Sequence, residues 1–292
     1  MAKKAKKAAV VISKQEMIDN VQALVAAHGS ELAFVVNMSG GKDSVRMLGY
    51  LQENFPNVKQ YVVYADTGFE HVKPVSAEEF GRQRSATYGL DLHVVRNAKK
   101  TYLSMVEKRR MFPSPKYRQC TSDLKRAPIQ KFLRNLPETV IINCTGIRAG
   151  ESVSRSKQNP WKANKSLSKQ GKVTKKGKVI KSRTVFEWMP IFSDSLHDVL
   201  DWHSTTNTPL HPVYVWAGGY LKRLSCRVCI FSTTADIHAI YKNDREAFDL
   251  VANLEQRMGF TMKAEGSLFQ IIGQEVAADD QYGSEEEMPC AA

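Results

Sequence analysis

Short apolar runs alternate with stretches of helical period along the first half of the chain. Met17, Val21, Leu24 and Val25 recur near a 3.6-residue spacing between Lys14 and about Gly29, which predicts a helix. Leu32-Ala33-Phe34-Val35-Val36 is a strand-type run that leads directly into Asn37-Met38-Ser39-Gly40-Gly41-Lys42-Asp43-Ser44. After it Val45, Met47, Leu48 and Leu51 resume a helical spacing, so the order there is strand, glycine loop, helix. Further strands are predicted at 60–65, 91–95 and 139–144, with a helical segment starting near Ala77 between the first two. Helical character returns at 194–204 and again from Thr234 to about Met258.

This alternation predicts an α/β fold, a parallel sheet with helices on both faces, followed by a helical region that carries cysteines. In such folds ligands sit beyond the carboxyl ends of the strands, where the polar clusters of this chain fall. The expected organisation is a flexible basic arm at 1–14, a nucleotide-binding α/β domain at 15–156, and a basic insertion at 157–183. The same domain continues at 184–274, and a disordered acidic tail occupies 275–292.

Composition bears mainly on the appendages. The 292 residues carry a formal charge of +12, with 42 Lys and Arg against 30 Asp and Glu. The arm holds five lysines, the insertion ten Lys or Arg and no acid, and the tail six acids and no base, so most of the excess lies outside the predicted sheet. The insertion reads as a mobile loop or β-hairpin whose composition cannot bury a core. With 42 % apolar residues the chain can build a real core. No apolar run approaches a spanning helix, and the lysine-rich start has no apolar stretch behind it, so a cytoplasmic protein without a membrane anchor is expected.

Chemistry concentrates in the 39–44 loop. Adjacent Gly40 and Gly41 allow a tight turn that brings backbone N–H groups against an anion, and the following helix adds its positive end. Ser39 and Ser44 supply hydroxyls and Lys42 a point charge, which makes a phosphate cradle; the spacing is neither that of the Walker loop nor of the dinucleotide fingerprint. Asp66-Thr67-Gly68 ends the second strand, either as a ligand contact or as a helix cap. Gly146-Ile147-Arg148, with Glu151, Ser152 and Arg155, follows the last predicted strand of the first half. Two arginines on one loop suit bidentate phosphate recognition, with Glu151 placed to orient one of them.

An odd number of cysteines, Cys120, Cys144, Cys226, Cys229 and Cys290, argues against a secreted disulfide framework. Cys226-Arg227-Val228-Cys229 puts two thiols on one short turn, a spacing suited to an iron–sulfur cluster, to zinc, or to a redox dithiol, with nearby arginines favouring the thiolate. Cys144 reads as a buried small hydrophobe, Cys290 as a free tail cysteine, and His211 before Pro212 as structural.

Taken in order, the 39–44 loop, Tyr64-Ala65-Asp66-Thr67-Gly68 with Glu70, Cys120-Thr121-Ser122-Asp123-Leu124-Lys125, the 146–155 segment, Met189-Pro190-Ile191, and His211-Pro212-Val213-Tyr214 through Gly219, Tyr220 and Arg223 to the 226–229 cysteines resemble the PP-loop ATP pyrophosphatases. Within them the pattern is similar to the phosphoadenosine phosphosulfate (PAPS) reductase branch, over roughly 30–235. The resemblance implies an adenine nucleotide alpha hydrolase-like sheet that binds ATP with Mg2+ and cleaves it between the α and β phosphates. Lys42, Asp43, Arg148 and Glu151 would be catalytic. Ser39, Gly40, Gly41, Lys42, Asp43, Ser44, Asp66, Thr67 and Gly146 would bind the nucleotide, with Asp66 and Thr67 near the adenosine and Asp43 available to metal or water.

It also implies that Cys120, Cys226 and Cys229 converge on one site holding a [4Fe-4S] cluster, or alternatively Zn2+. True phosphosulfate reductases lack the intact loop. Its presence here points to an ATP-consuming sulfurtransferase that modifies nucleic acid, DNA or tRNA, with the DNA phosphorothioation enzymes most alike in pattern. The basic insertion, with Trp161, and the arm would reach that polyanion, and a cysteine desulfurase would donate sulfur. The alternatives are a PAPS or adenylyl-sulfate reductase or sulfate-adenylylating enzyme, and a non-catalytic nucleic-acid-binding partner that keeps the fold.

Overall fold

The computed structural model describes residues 13–173, 175, 177, 179–216, 221 and 223–273; the arm before Ser13, the acidic tail with Cys290, and Gly219 and Tyr220 lie outside them. The strands are β1 Leu32–Met38, β2 Lys59–Asp66, β3 Leu92–Arg96, β4 Val140–Thr145, β5 Trp161–Ala163, β6 Lys172–Val173, β7 Val179–Ile180 and β8 Thr184–Trp188. The helices are α1 Lys14–His28, α2 Lys42–Asn54, α3 Ala77–Ala86, α4 Tyr102–Arg109, α5 Ala127–Asn135, α6 Val153–Ser156, α7 Leu196–Thr205, α8 Thr234–Asn243, α9 Arg245–Met258 and α10 Leu268–Ile272.

A six-stranded sheet runs β3-β2-β1-β4-β8-β5, parallel throughout except for β5, which is antiparallel to β8. Central β1 is buried on both faces and feeds two cores by simple alternation. Phe34 and Val36 enter the larger core with α2, α7 and the C-terminal helices, while Val35 joins Val63, Ile141, Val185 and Leu133 of α5 on the opposite face. The α/β fold with helices on both faces and a helical C-terminal region is thus the one expected from the pattern.

The structure departs from the sequence reading in three places. The 157–183 stretch is not a single solvated loop. Its beginning supplies edge strand β5, where Trp161 stacks on Phe186 at 5.0 Å, and Leu167 is buried in the smaller core. Trp161 is therefore a packing residue and offers no open face to a polyanion. Only the β6 and β7 ribbon in its middle projects as a hairpin, its first-strand residues exposed.

The helix expected over 234–258 is two helices, α8 and α9, broken at Asp244. That residue leaves helical geometry and places its carboxylate against Arg227, accepting from Nε at 2.8 Å and from Nη2 at 2.6 Å. Finally, α5 is preceded by a π-helical turn, Cys120–Arg126, that the sequence pattern gave no sign of.

Candidate active site

Chain order leaves β1 toward β2 on one side, while β4 arrives on the other. The carboxyl ends of β1 and β4 therefore flank a topological switch point, the usual crevice for a ligand in an open sheet. The 39–44 loop emerges there from β1 and turns into α2. Gly40 sits at a φ of 76°, and a Cβ on it would stand 2.7 Å from the carbonyl oxygen of Ala77, so both its backbone conformation and its surroundings require glycine.

Hydroxyls hold the loop in shape. Ser39 and Ser44 share a hydrogen bond between their Oγ atoms at 3.1 Å; the Ser39 amide donates to Ser44 Oγ and the Gly41 amide to Ser39 Oγ. The Lys42 amide donates to the Tyr214 hydroxyl at 3.2 Å. The loop amides are thus not bare, as the sequence suggested. Three are engaged by side-chain oxygens that fix the turn before any anion arrives.

Lys42 is buried, its Nζ 3.7 Å from an Asp43 carboxylate oxygen and 5.0 Å from the centre of the Tyr214 ring. Asp43 gives its other oxygen to Arg148 Nε at 2.5 Å. Asp43 is therefore flanked by two cations instead of facing solvent for a metal. Arg148 is buried as well, and its amide donates to Glu151 at 3.0 Å. The Glu151 carboxylate pairs with the Arg155 guanidinium, with Arg223 4.0 Å away. Of the two arginines, Glu151 thus orients Arg155, and Arg148 belongs to Asp43.

Gly146 explains how these groups meet. A Cβ there would lie 2.9 Å from the Asp43 carbonyl oxygen and 3.1 Å from the Ser44 amide nitrogen, so the end of β4 touches the backbone of the loop. Asp66 and Thr67 stand at the end of β2. Asp66 accepts from the Gly68 amide and lies 3.3 Å from Arg96, while the buried Thr67 donates its hydroxyl to Glu70 at 2.7 Å.

Of the expected metal site, Cys120, Cys226 and Cys229 lie near enough to feel one another's charge. Cys226 forms a β-bridge with Glu70, and the Arg227 amide donates to the Phe69 carbonyl at 2.9 Å, which stitches the 226–229 loop to the end of β2. Cys120 opens the π-helical turn. Cys226 lies within electrostatic reach of Cys229, Cys120 and Lys125, and Lys125 also lies 3.7 Å from Glu70. The four described cysteines are unpaired.

Burial, before any other cause, pushes the Cys226 thiol far up, with Lys125 opposing and Cys229 adding; burial also raises Cys120. The expected thiolate support does not come from Arg227, which is committed to Asp244; the cation that opposes the rise at Cys226 is Lys125. Among the described residues no three His, Cys, Asp or Glu stand at ligand spacing, so the thiols are gathered without being closed on an ion. One further feature suits a sulfur cluster. The Tyr102 hydroxyl is buried without a hydrogen-bond partner and feels the charges of Cys226, Cys229 and Cys120. A cluster or thiolate sulfur is an acceptor for such a donor. Cys144, on the inside of β4, is fully buried away from this group.

Two residues of the site carried no sequence signal of their own. Tyr214 lies in a quoted motif but has no residue type that announces an amide acceptor, and its phenol, pushed up first by burial and then by Asp43, stays protonated. His203 of α7 is buried with Nε2 3.0 Å from the Lys42 carbonyl and Nδ1 2.9 Å from the Thr208 carbonyl, which ties α7 to the first residue of α2. His211 is structural, buried between the Val75 carbonyl and the Val213 amide.

A glycine loop at the switch point of a mostly parallel sheet, with basic residues from two neighbouring loops, defines a nucleotide-binding α/β protein of the PP-loop, adenine nucleotide alpha hydrolase-like kind. The phosphoadenosine phosphosulfate reductase domain matches residues 33–233, and the chain belongs to that family. No curated protein matches the sequence.

Solved structures of related outline include the phosphoadenylyl-sulfate reductase of Candida auris in a phosphate complex, at 11 % identity and a TM-score of 0.42, covering 67 % of this chain and 81 % of that one. The NH3-dependent NAD synthetase of Campylobacter jejuni, bound to nitrate, aligns at 13 % identity and 0.41, covering 84 % and 91 %. The U34-tRNA thiolase of Methanococcus maripaludis, solved with its [4Fe-4S] cluster, aligns at 14 % identity and 0.44, covering 93 % and 88 %. No described helix is long and apolar enough to cross a membrane.

Proposed function

We propose that the protein cleaves ATP between the α and β phosphates and uses the activation to place sulfur on a nucleic acid, DNA or tRNA. The observation that carries this reading is the intact 39–44 loop, preshaped at the switch point and flanked by buried Lys42 and by Asp43 paired with Arg148. In this reading the loop and Lys42 cradle the β and γ phosphates and stabilise charge on the departing pyrophosphate. Arg155 and Arg223, on the solvent side of Glu151, face the acceptor's phosphate.

An acceptor oxygen attacks the α phosphorus, pyrophosphate leaves, and sulfur delivered at the sulfide level then displaces AMP together with that oxygen. Mg2+ bound to the phosphates would neutralise charge on the triphosphate. Cys120, Cys226 and Cys229 would hold a [4Fe-4S] cluster that presents the sulfur, with Tyr102 donating toward it.

Pyrophosphate release from ATP and Mg2+, measured alone and with DNA or tRNA, tests the reading. Stimulation by nucleic acid supports it, and no pyrophosphate under any condition overturns it. Iron and acid-labile sulfide in anaerobically purified protein test the cluster; zinc without iron would replace it by a zinc site. Membership of the reductase family favours one second reading, thiol-dependent reduction of a small sulfur nucleotide, which would release sulfite without pyrophosphate.

A further inference from the structure

We propose that Phe231 is a stacking platform for a base of single-stranded nucleic acid, with Arg118 and Arg223, which lie over its ring, turning to hold the flanking phosphates. This rests on the reading that the acceptor is a nucleic acid and names the surface that would receive it. Phe231 is 38 % exposed although its neighbours Ile230 and Ser232 are buried.

The turn that carries it is locked from behind. The Ser232 amide donates to the Cys229 carbonyl at 2.9 Å, the Cys229 amide to Ser232 Oγ at 3.3 Å, and Lys263 Nζ to the Ile230 and Ser232 carbonyls at 3.3 and 2.8 Å. A large apolar ring is thus presented to solvent on a rigid support, which lowers the entropy lost when a base stacks on it.

The charge around it matches that occupant. The Arg118 and Arg223 guanidinium carbons lie over the ring at 5.7 and 6.0 Å from its centre, and both side chains are exposed, so a base takes the ring by displacing a guanidinium that then turns to a phosphate. Arg223 also reaches toward Glu151, and with Arg148 and Arg155 it makes a group of three guanidiniums facing two carboxylates, Asp43 and Glu151. Their crowding is felt at Arg155, whose pKa is pushed down first by burial and then by Arg223, with Arg118 and Arg148 adding. An aromatic face set among cations in excess is the arrangement that binds a strand by stacking and phosphate neutralisation. Phe231 lies two residues from Cys229, so a strand lying on it runs beside the thiol loop.

Fluorescence anisotropy with a labelled single-stranded 12-mer of mixed sequence tests the assignment on the full chain. Phe231→Ala weakens binding about five- to hundredfold and Phe231→Trp restores it. Arg118→Gln with Arg223→Gln, which leaves the turn untouched, weakens binding and lowers the slope of log affinity against log salt by about one to two. Wild-type affinity in Phe231→Ala, or an unchanged salt slope in the double arginine variant, overturns the platform while leaving the nucleic-acid reading in place. Absence of oligonucleotide binding by the wild-type protein at low salt overturns that reading itself. A circular-dichroism melt confirms that each variant is folded before its affinity is compared.

Discussion

Asp43 and Arg148 meet at 2.5 Å across 105 positions of sequence, carboxylate to Nε, and in doing so join the first turn of α2 to the loop after β4. Arg148 is almost wholly buried and Asp43 about four-fifths so. Removing either partner leaves the other charge uncompensated in a poorly solvated place. Arg148→Gln and Asp43→Asn should each lower pyrophosphate release by roughly 100- to 1000-fold. Turnover within threefold of wild type in both variants would remove the pair from the catalytic apparatus.

Gly146 reports the same junction from the backbone. An added methyl would press on the Asp43 carbonyl and the Ser44 amide, neither of which can swing away as a side-chain tip can. Gly146→Ala should lower stability by about 1–3 kcal/mol and weaken ATP binding as the loop is pushed off β4. Urea unfolding and nucleotide titration read the two effects, and unchanged values for both would show that the contact relaxes without consequence.

The buried pair of Arg227 with Asp244 lies beside the thiol loop and also breaks α8 from α9. Asp244→Ala leaves the guanidinium only the exposed Glu246, 3.0 Å from Nη2, among its described carboxylate partners and should cost roughly 3 kcal/mol of folding stability. If the loop depends on that anchor, the Cys226 and Cys229 thiols should also react faster with a thiol reagent under native conditions. Chemical denaturation and a thiol-labelling time course provide the two measurements.

Stability should fall as the solution is acidified. Burial, first of all, holds both His71 and His211 at a pKa of about 4, below their ordinary 6.5. Between those values the unfolded chain binds protons that the folded chain refuses, so stability is fully present above about pH 6.5 and is lost as pH drops toward 4. The loss is on the order of 3 kcal/mol for each histidine. Protonation of His211 also takes away the Nδ1 acceptor used by the Val213 amide. Urea unfolding at pH 7, 6 and 5 should show the decline, and His211→Gln should flatten it; an equal slope in that variant would acquit His211.

Much of the sheet was legible because its central strands β1 and β4 are buried on both faces and so read as continuous apolar runs. The loop was legible for a different reason. Paired glycines, serines and a lysine between a strand and a helix have few other uses. The short helix α5 was harder to see because Pro128 reads as a breaker, although here it follows a π-helical turn in which the Asp123 carbonyl accepts from Asn97 Nδ2 at 3.0 Å.

Asp244 broke a continuous helical pattern for a partner seventeen residues upstream, which periodicity does not encode. The same limit applies to Trp161. Its place in a basic segment suggested exposure, whereas its strand pairing with β8 buries it. At the site, residue types were readable and partnerships were not. Nothing local in the sequence distinguishes an arginine that meets Asp43 from one that meets Glu151.

Tyr214 gives the loop a rival for its own amide. Its oxygen accepts from the Lys42 amide and from the Leu224 amide, both at 3.2 Å, which uses both lone pairs. A phosphate that needs the Lys42 N–H must take it from this phenol, which keeps its bond from Leu224, two residues before Cys226. Occupancy of the loop is thereby registered as a change of ligation at a single oxygen, and that oxygen is shared with the segment carrying the thiols. One hydroxyl thus joins the glycine loop to the segment that carries the thiols.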